Sequence, residues 1–539
     1  MATETGHPRD IGRGERTAGD NAPPCNGECP GDTRMHQAIL RWAGITPDAP
    51  ALTDAHGTWS YRQFRDAVAA AADFMAQRGV RAGDRVMLIG ENGSALAAFI
   101  FAASTLDACA VLENARRAPQ EVDRIRAHAD PRLVIYLTRD SSDAAAHARQ
   151  AEALTLDVPA FGEVAISHDR PEAAPDTVAG TRDDVVALIY TTGTTGAPKG
   201  VMVRHGGLMY LAATVRQLRA ISARDRAYCV LPITHIMGLA IVLGGTLRAG
   251  AHLYLIAKFD AAECASMLAN AHISMLQGAP AMFAKLLQFH HAHPFECPDL
   301  RFIATGGAPL DASLKTQCEA VFGVALHNGY GLTEGASLCF TRLDDPPPDS
   351  SVGRPLPGVS VRIVSPAGEH LPQGQVGELW VQAPQMMKGY FRDPALTRRV
   401  LTEDGWFNTE DLATLDAAGS VHIVGRTKDL IACNGFKVYP LEVEDALNEH
   451  PGIVHSAVVG RGTMGSEDVI AFVELADGDA PFDLDLLRKI FAERISPYKK
   501  PREIYAMASL PSSPNGKVLK SQLRSMLADG KTEELTRIL

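Results

Sequence analysis

An apolar run at 185–190 (Val-Val-Ala-Leu-Ile-Tyr) passes without a break into Thr191-Thr192-Gly193-Thr194-Thr195-Gly196-Ala197-Pro198-Lys199-Gly200. No other segment constrains the chain as much as this strand ending in three glycines, four hydroxyls and a lysine. Glycine lets the backbone turn tightly and point N–H groups at an anion, threonines add donors, and lysine brings positive charge to phosphates. The chemistry suits a polyphosphate. A Walker A loop is ruled out, because the position where its second glycine should follow Gly193 is Pro198.

Around this loop, helical patterns such as 61–77 alternate with short apolar runs at 85–89, 133–137 and 185–190, which predicts an α/β body on parallel sheets. Residues 341–424 read differently, with strands at 359–364 and 377–382 separated by a Pro/Gly turn at 366–368. Beyond Gly425 a helix at 440–449, strands at 456–459 and 469–475, and a helix at 484–494 predict a separate small α+β domain. A chain of 539 residues is too long for one ordinary core, so such a division is expected. Residues 1–33 are polar, rich in Gly and Pro and without hydrophobic periodicity, and are expected to form a mobile tail.

A net charge of −11 without a block of lysines and arginines argues against nucleic acid as a partner. The nine cysteines are scattered and form no CxxC pair, as expected of reduced thiols in the cytoplasm. Cys25 and Cys29 have no second ligand pair near them and do not read as a metal site. The N-terminal residues lack an apolar h-region, so no secretory leader is expected. The longest apolar stretch, 95–112, reaches membrane length only by including Ser104, Thr105 and Asp107, and predicts a buried helix leading into a strand rather than a transmembrane segment.

The loop at 191–200 resembles the signature of the adenylate-forming superfamily of acyl-CoA synthetases, adenylation domains and luciferases. Further motifs resemble that family in its order: Asn328-Gly329-Tyr330-Gly331-Leu332-Thr333-Glu334, Gly405-Trp406-Phe407-Asn408-Thr409-Glu410-Asp411-Leu412, Gly425-Arg426-Thr427-Lys428-Asp429, Asn434-Gly435-Phe436-Lys437-Val438-Tyr439-Pro440 and Pro514-Asn515-Gly516-Lys517. The chain is thus identified as a member from about Thr58 to Met526. The resemblance implies a large N-terminal AMP-binding domain, 34–425, of two α/β subdomains and a β-rich one, and a small mobile α+β lid, 426–539. It implies activation of a carboxylic acid by ATP with Mg²⁺, and transfer of the acyl group to coenzyme A. A carrier protein is the alternative acceptor, disfavoured because no carrier domain follows Lys517.

The same resemblance implies roles. Thr191, Thr194, Thr195, Gly196 and Lys199, in one loop with Thr192 and Gly193, hold the outer phosphates of ATP. Thr333 binds the α-phosphate and Glu334 ligates Mg²⁺, which prefers hard oxygen ligands. Asp411 and Arg426 meet the ribose, where one carboxylate can accept from both hydroxyls. Gly306, Gly307, Ala308 and Pro309 lie against adenine and acyl group, with Asn328 and Gly329 beside them and Tyr330 offering an aromatic face. Lys517 bridges the attacking carboxylate and the α-phosphate, and Gly435 lines the thiol passage after the lid turns about Lys428. Leu231-Pro232-Ile233-Thr234-His235-Ile236-Met237-Gly238 is similar to the motif whose histidine stands beside the acyl pocket, which makes His235 the gate.

Two positions depart from the family: Glu410 and Asp107 stand where glycine is usual. Glu410 adds negative charge near an anionic nucleotide, so weaker ATP affinity is expected. An amino-acid substrate is disfavoured, since Thr234 and His235 occupy the segment where an aspartate would meet the ammonium. His235, Met237, Gly307, Gly331, Ser337 and Leu338 surround the expected pocket without a fixed charge, which predicts an uncharged aliphatic or aromatic tail in preference to a dicarboxylate. The cluster His290, His291 and His293 reads as an exposed helix end.

Overall fold

In a computed structural model, which describes residues 32–167, 175–192, 198–347, 349–433, 436–463, 466–475, 482–512, 518–532 and 535–539, the apolar runs form the strands Arg85–Gly90, Leu133–Tyr136 and Val185–Thr192. They belong to a seven-stranded sheet whose centre is parallel and whose edges are antiparallel. Every residue of Arg85–Gly90 is buried, as a strand covered on both faces requires. A second, nine-stranded sheet is parallel through Phe302–Gly306, Met275–Gly278, Arg226–Cys229 and His252–Leu255, and ends in antiparallel pairs.

Helices Tyr61–Ala76 and Ser94–Thr105 join the cores of the two sheets into one apolar cluster. A reciprocal cap starts the first: the Gln63 N–H donates to the Ser60 hydroxyl at 3.2 Å, and the Ser60 N–H donates to Oε1 of the Gln63 side chain at 2.8 Å. Phe64 and Phe101 meet edge to face, 5.5 Å between centroids. The 95–112 stretch is a buried helix followed by the strand Cys109–Asn114, as its composition predicts. Among the described residues no helix is long and apolar enough to cross a membrane.

Asp107, one of the departures from glycine, has φ +55°, in the left-handed region that aspartate tolerates better than most residues. Its carboxylate pairs with Arg34, whose guanidinium also donates to the Thr181 carbonyl at 2.7 Å and to Asp184 at 3.0 Å. This knot fixes the start of the helix Met35–Leu40.

Ser360–Val364, Gly377–Gln382, Phe407–Leu415 and Val421–Arg426 form the expected β-rich unit, a four-stranded antiparallel sheet. It begins later than the sequence suggests, because Arg354–Pro355 pairs with Ala336–Phe340 at the edge of the nine-stranded sheet. A short edge strand is assigned by its neighbour rather than by its own pattern. Among the described residues no strand after Arg426 pairs with an earlier sheet. The strand expected at 456–459 is part of Ile453–Thr463, lengthened by its hairpin partner Ser466–Leu475 through to the pair Thr463 and Ser466. The helices Pro440–Asn448 and Leu484–Arg494 close the core of this sheet.

Candidate active site

Parallel strands Arg226–Cys229, Met275–Gly278 and Phe302–Gly306 and the strand Leu326–Leu332 end on one side of the nine-stranded sheet, the side where open α/β sheets bind ligands. The phosphate loop approaches it as the tip of an antiparallel hairpin: Thr191 pairs with Lys199 and Thr192 with Pro198, while Gly193, Thr194, Thr195 and Gly196 lie outside the described residues. Segment 388–391 docks on the outer strand of this hairpin. The Met202 N–H donates to the Gly389 carbonyl at 3.0 Å and the Phe391 N–H to that of Gly200 at 2.7 Å. Tyr390 is thereby carried over Lys199, whose Nζ lies 5.7 Å from the ring centroid. Its hydroxyl donates to Glu334 Oε1 at 2.7 Å. Lys199, Tyr390 and Glu334 thus form one cluster, in which Tyr390 is a member the motifs do not reveal.

Burial pushes the Glu334 carboxyl above the usual carboxylate range, opposed by the Tyr390 hydroxyl, Lys199 and Arg426. Burial and Glu334 push the Tyr390 phenol up, so it keeps its proton and remains a donor. Thr333, beside Glu334, is buried at the strand end. Among the described residues no three ligating side chains cluster around a point. A single carboxylate with the remaining ligands from phosphates and water is the ordinary protein share of a nucleotide-bound Mg²⁺, so Glu334 fits that ion.

Asp411 and Arg426 face each other on neighbouring antiparallel strands, and Arg426 Nε donates to Asp411 Oδ1 at 3.2 Å. Tyr330 donates its hydroxyl to Oδ2 of the same carboxylate at 2.5 Å. Its phenol is held protonated by burial and by Asp411. Tyr330 therefore orients the ribose candidate as well as offering a ring. Each carboxylate oxygen retains a second lone pair for a ligand hydroxyl. Asn328 is buried and its amide is taken by the Ser350 carbonyl at 3.0 Å, which makes it a strut of the strand. Gly306 ends its strand and Gly307 adopts φ +81°, turning the chain toward the half-buried Ala308 and the exposed Pro309.

His235 is half-buried two residues before a π-helix, Met237–Gly244, a type of distortion frequent at functional sites. Sequence reasoning also missed Asn92. Its Nδ2 lies 3.2, 3.0 and 3.1 Å from the carbonyl oxygens of Cys229, Leu231 and Ile256, and its Oδ1 accepts from the Ile233 N–H at 2.8 Å. One buried amide thus holds the loop that delivers His235; a lone asparagine after a strand carries no sequence signal for this. Met237 lies across Gly306, its methyl 3.2 Å from where a Cβ on that glycine would stand.

At the junction with the last sheet, Arg524 donates to Asp429 at 2.5 Å. Burial, followed by Arg426, lowers the Lys428 ammonium from its ordinary value. Glu410 is exposed with φ +59°, which explains why glycine suits this position. Gly435 and Lys517 lie outside the described residues. His290 is half-buried and His291 and His293 are exposed at the end of the helix Pro280–Ala292, away from this cluster of strand ends.

The profile of the AMP-binding enzyme family matches residues 39–391, and that of the AMP-binding enzyme C-terminal domain matches 442–517. The chain belongs to the AMP-binding enzyme family. A feruloyl-CoA synthase of Amycolatopsis sp is 33% identical over 492 residues, 90% of this chain and 97% of that one. The 4-coumarate–CoA ligase 2 of Oryza sativa subsp. japonica is 29% identical, over 93% and 94% of the two chains. Among solved structures, ATP-bound MatB from Rhodopseudomonas palustris superposes with a TM-score of 0.77 at 29% identity, covering 91% of this chain and 99% of that one. This family member is an AMP-forming acyl-CoA ligase: it activates a carboxylic acid with ATP and Mg²⁺ as the acyl-adenylate, releases pyrophosphate and passes the acyl group to coenzyme A.

Proposed function

We propose that the acid is an arylpropenoic acid, a carboxylate joined to an aromatic ring through a two-carbon spacer. The observation that carries this reading is the 33% identity to a feruloyl-CoA synthase along nearly the full length of both chains. The half-buried Met237, whose methyl lies against Gly306, supports it, since it brings an apolar side chain and no fixed charge to the expected acyl pocket.

In this reading Lys199 and the threonines of its loop hold the outer phosphates, and Thr333 donates to the α-phosphate. Glu334 holds Mg²⁺, which supplies positive charge to phosphates that would otherwise repel a carboxylate. Tyr390 keeps Glu334 oriented with its hydroxyl. Asp411, held by Tyr330 and Arg426, accepts from the ribose hydroxyls. His235 closes the acyl pocket. Lys517 meets the charge that builds on the phosphoryl oxygens, a contribution of about 3–4 kcal/mol for one positioned donor. The lid, 426–539, turns about Lys428 and brings Gly435 to the thiol passage. Among the described residues no two cysteines form a disulfide, and we place the enzyme in the cytoplasm.

A panel of acids read by pyrophosphate release tests the substrate. Arylpropenoic acids are expected to lead straight-chain fatty acids, malonate and amino acids in kcat/KM; a lead for any of the latter would overturn the assignment.

A further inference from the structure

The phosphate hairpin is backed by the last turn of the helix Pro119–Ala129. Tyr190, one residue before Thr191, is buried and pairs across the hairpin with Gly200. Its ring lies across that glycine, where a Cβ would stand 3.0 Å from Cζ, tighter than ordinary packing. The Tyr190 hydroxyl donates to Nδ1 of His128 at 2.8 Å. The His128 imidazole meets the rings of Tyr190 and Phe391 edge to face, with centroids 5.7 and 5.8 Å away. The Phe391 N–H donates in turn to the Gly200 carbonyl, and Arg392 ties the same helix end by donating to the His128 carbonyl and to Asp130, each at 3.1 Å. His128, Tyr190, Gly200 and Phe391 thus close a ring of contacts at the foot of the loop.

Burial, followed by Arg392, lowers the His128 imidazole, so at neutral pH it is uncharged and Nδ1 can accept. Burial, followed by Glu113, pushes the Tyr190 phenol up, so it keeps its proton and donates. Neighbours along an extended chain face opposite sides. With Tyr190 and Gly200 turned to the helix, the next pair in the register, Thr191 and Lys199, is turned away from it. Phe391 and Tyr390 divide in the same manner: Phe391 packs on His128, while Tyr390 lies over Lys199 and donates to Glu334. Both residues whose rings His128 touches are therefore chain neighbours of the phosphate cluster, Tyr190 of Thr191 and Phe391 of Tyr390.

We infer that His128 is a positioning residue for ATP: through Tyr190 and Phe391 it locks the foot of the phosphate loop and the segment 388–391 together, and so sets Lys199 and Tyr390 where the outer phosphates and Glu334 need them. This rests on the assignment of Lys199 to the outer phosphates. Lysine carries its charge on a flexible four-carbon stem, so the place of its ammonium depends on the backbone beneath it and on the ring above it. A misplacement of about 1 Å caused far from the chemistry can cost about a hundredfold in rate. Histidine suits the task because one rigid ring offers an acceptor to the phenol and an aromatic edge to Phe391. Pyrophosphate has left before coenzyme A attacks, so the second half-reaction has no outer phosphates to hold. The effect of His128 therefore belongs to the first half-reaction.

The test measures ATP–pyrophosphate exchange and the conversion of supplied acyl-AMP to thioester separately, on variants checked for folding by thermal unfolding. His128→Leu is expected to lower kcat/KM for ATP in exchange by about tenfold or more. Its conversion of acyl-AMP should stay within about twofold of wild type. His128→Gln, whose side-chain carbonyl can still accept from Tyr190, should recover most of the loss. Tyr190→Phe keeps the ring on Gly200 and removes only the donor, so it should also lower exchange. Because both substitutions break the same bond, the double variant should lose little more than the worse single one. Equal losses in both half-reactions, no recovery in His128→Gln, or losses that multiply in the double variant would overturn the inference. If His128→Leu does not fold, Tyr190→Phe and His128→Gln decide, with exchange lowered in the first and retained in the second. Lys199→Ala separates the inference from the assignment beneath it. Exchange lowered in Lys199→Ala but unchanged in His128→Leu and Tyr190→Phe would sink this inference alone, whereas unchanged use of ATP by Lys199→Ala would sink the phosphate assignment and this inference with it.

Discussion

The Tyr390 hydroxyl donates to Glu334 Oε1 at 2.7 Å, the carboxylate we assign to Mg²⁺. Burial holds Glu334 above the usual carboxylate range and the Tyr390 donor pulls it back. To hold Mg²⁺ as we propose, Glu334 must be ionised. Removing the donor in Tyr390→Phe raises its pKa further, so the acid limb of the kcat/KM profile for ATP should move to higher pH. The profile of Tyr390→Phe against wild type checks this, and an unmoved limb would detach Tyr390 from Glu334.

Asn92 holds the loop that leads to His235 through one amide. Asn92→Ala leaves buried backbone groups without partners, which costs about 1–3 kcal/mol. Denaturant unfolding should show that loss. Where the variant remains folded, acyl-adenylate formation should fall more than the affinity for ATP, since the disturbed loop carries His235, which we assign to the acyl pocket.

Glu410 is a non-glycine residue at φ +59°, a conformation that costs about 1–2 kcal/mol. Glu410→Gly relieves that strain and removes a negative charge next to Asp411, which we assign to the ribose. The variant should melt at a higher temperature and show a lower KM for ATP; an unchanged KM would leave the residue a backbone effect only.

The two half-reactions should separate by mutation. Lys517→Ala is expected to abolish acyl-AMP formation while still converting supplied acyl-AMP to thioester. Lys428→Pro, which stiffens the junction, should spare adenylation and impair thioester formation. Equal losses in both steps, measured separately on folded variants, would reject rotation of the lid about Lys428.

His205 accepts the Met35 N–H at 3.2 Å, and burial, followed by the nearby Arg34 and His36, lowers it to about 3. The folded protein resists a proton that the unfolded chain takes up near the ordinary histidine value of 6.5. This contribution to stability is therefore complete above pH 6.5 and is lost as pH falls toward 3. Urea midpoints at neutral and mildly acidic pH should drop less in His205→Gln than in wild type.

The motifs made the chemistry legible because each is a local run whose residue types already match a phosphate, a ribose or a metal. Lys199, Glu334, Asp411 and Arg426 could be named from such runs alone, and the hydrophobic periods foretold most strands and helices. Tertiary structure alone decided who meets whom. Tyr390 reaches Glu334 only because segment 388–391 pairs with the hairpin edge, and Tyr330 reaches Asp411 from a different sheet. Asn92 closes contacts more than 130 residues away, and Arg219 enters the sheet face beside Gln277 because its helix ends there. Sequence spacing encodes contacts within a turn or a strand, whereas these partners are set by strand order and packing, which no local pattern specifies.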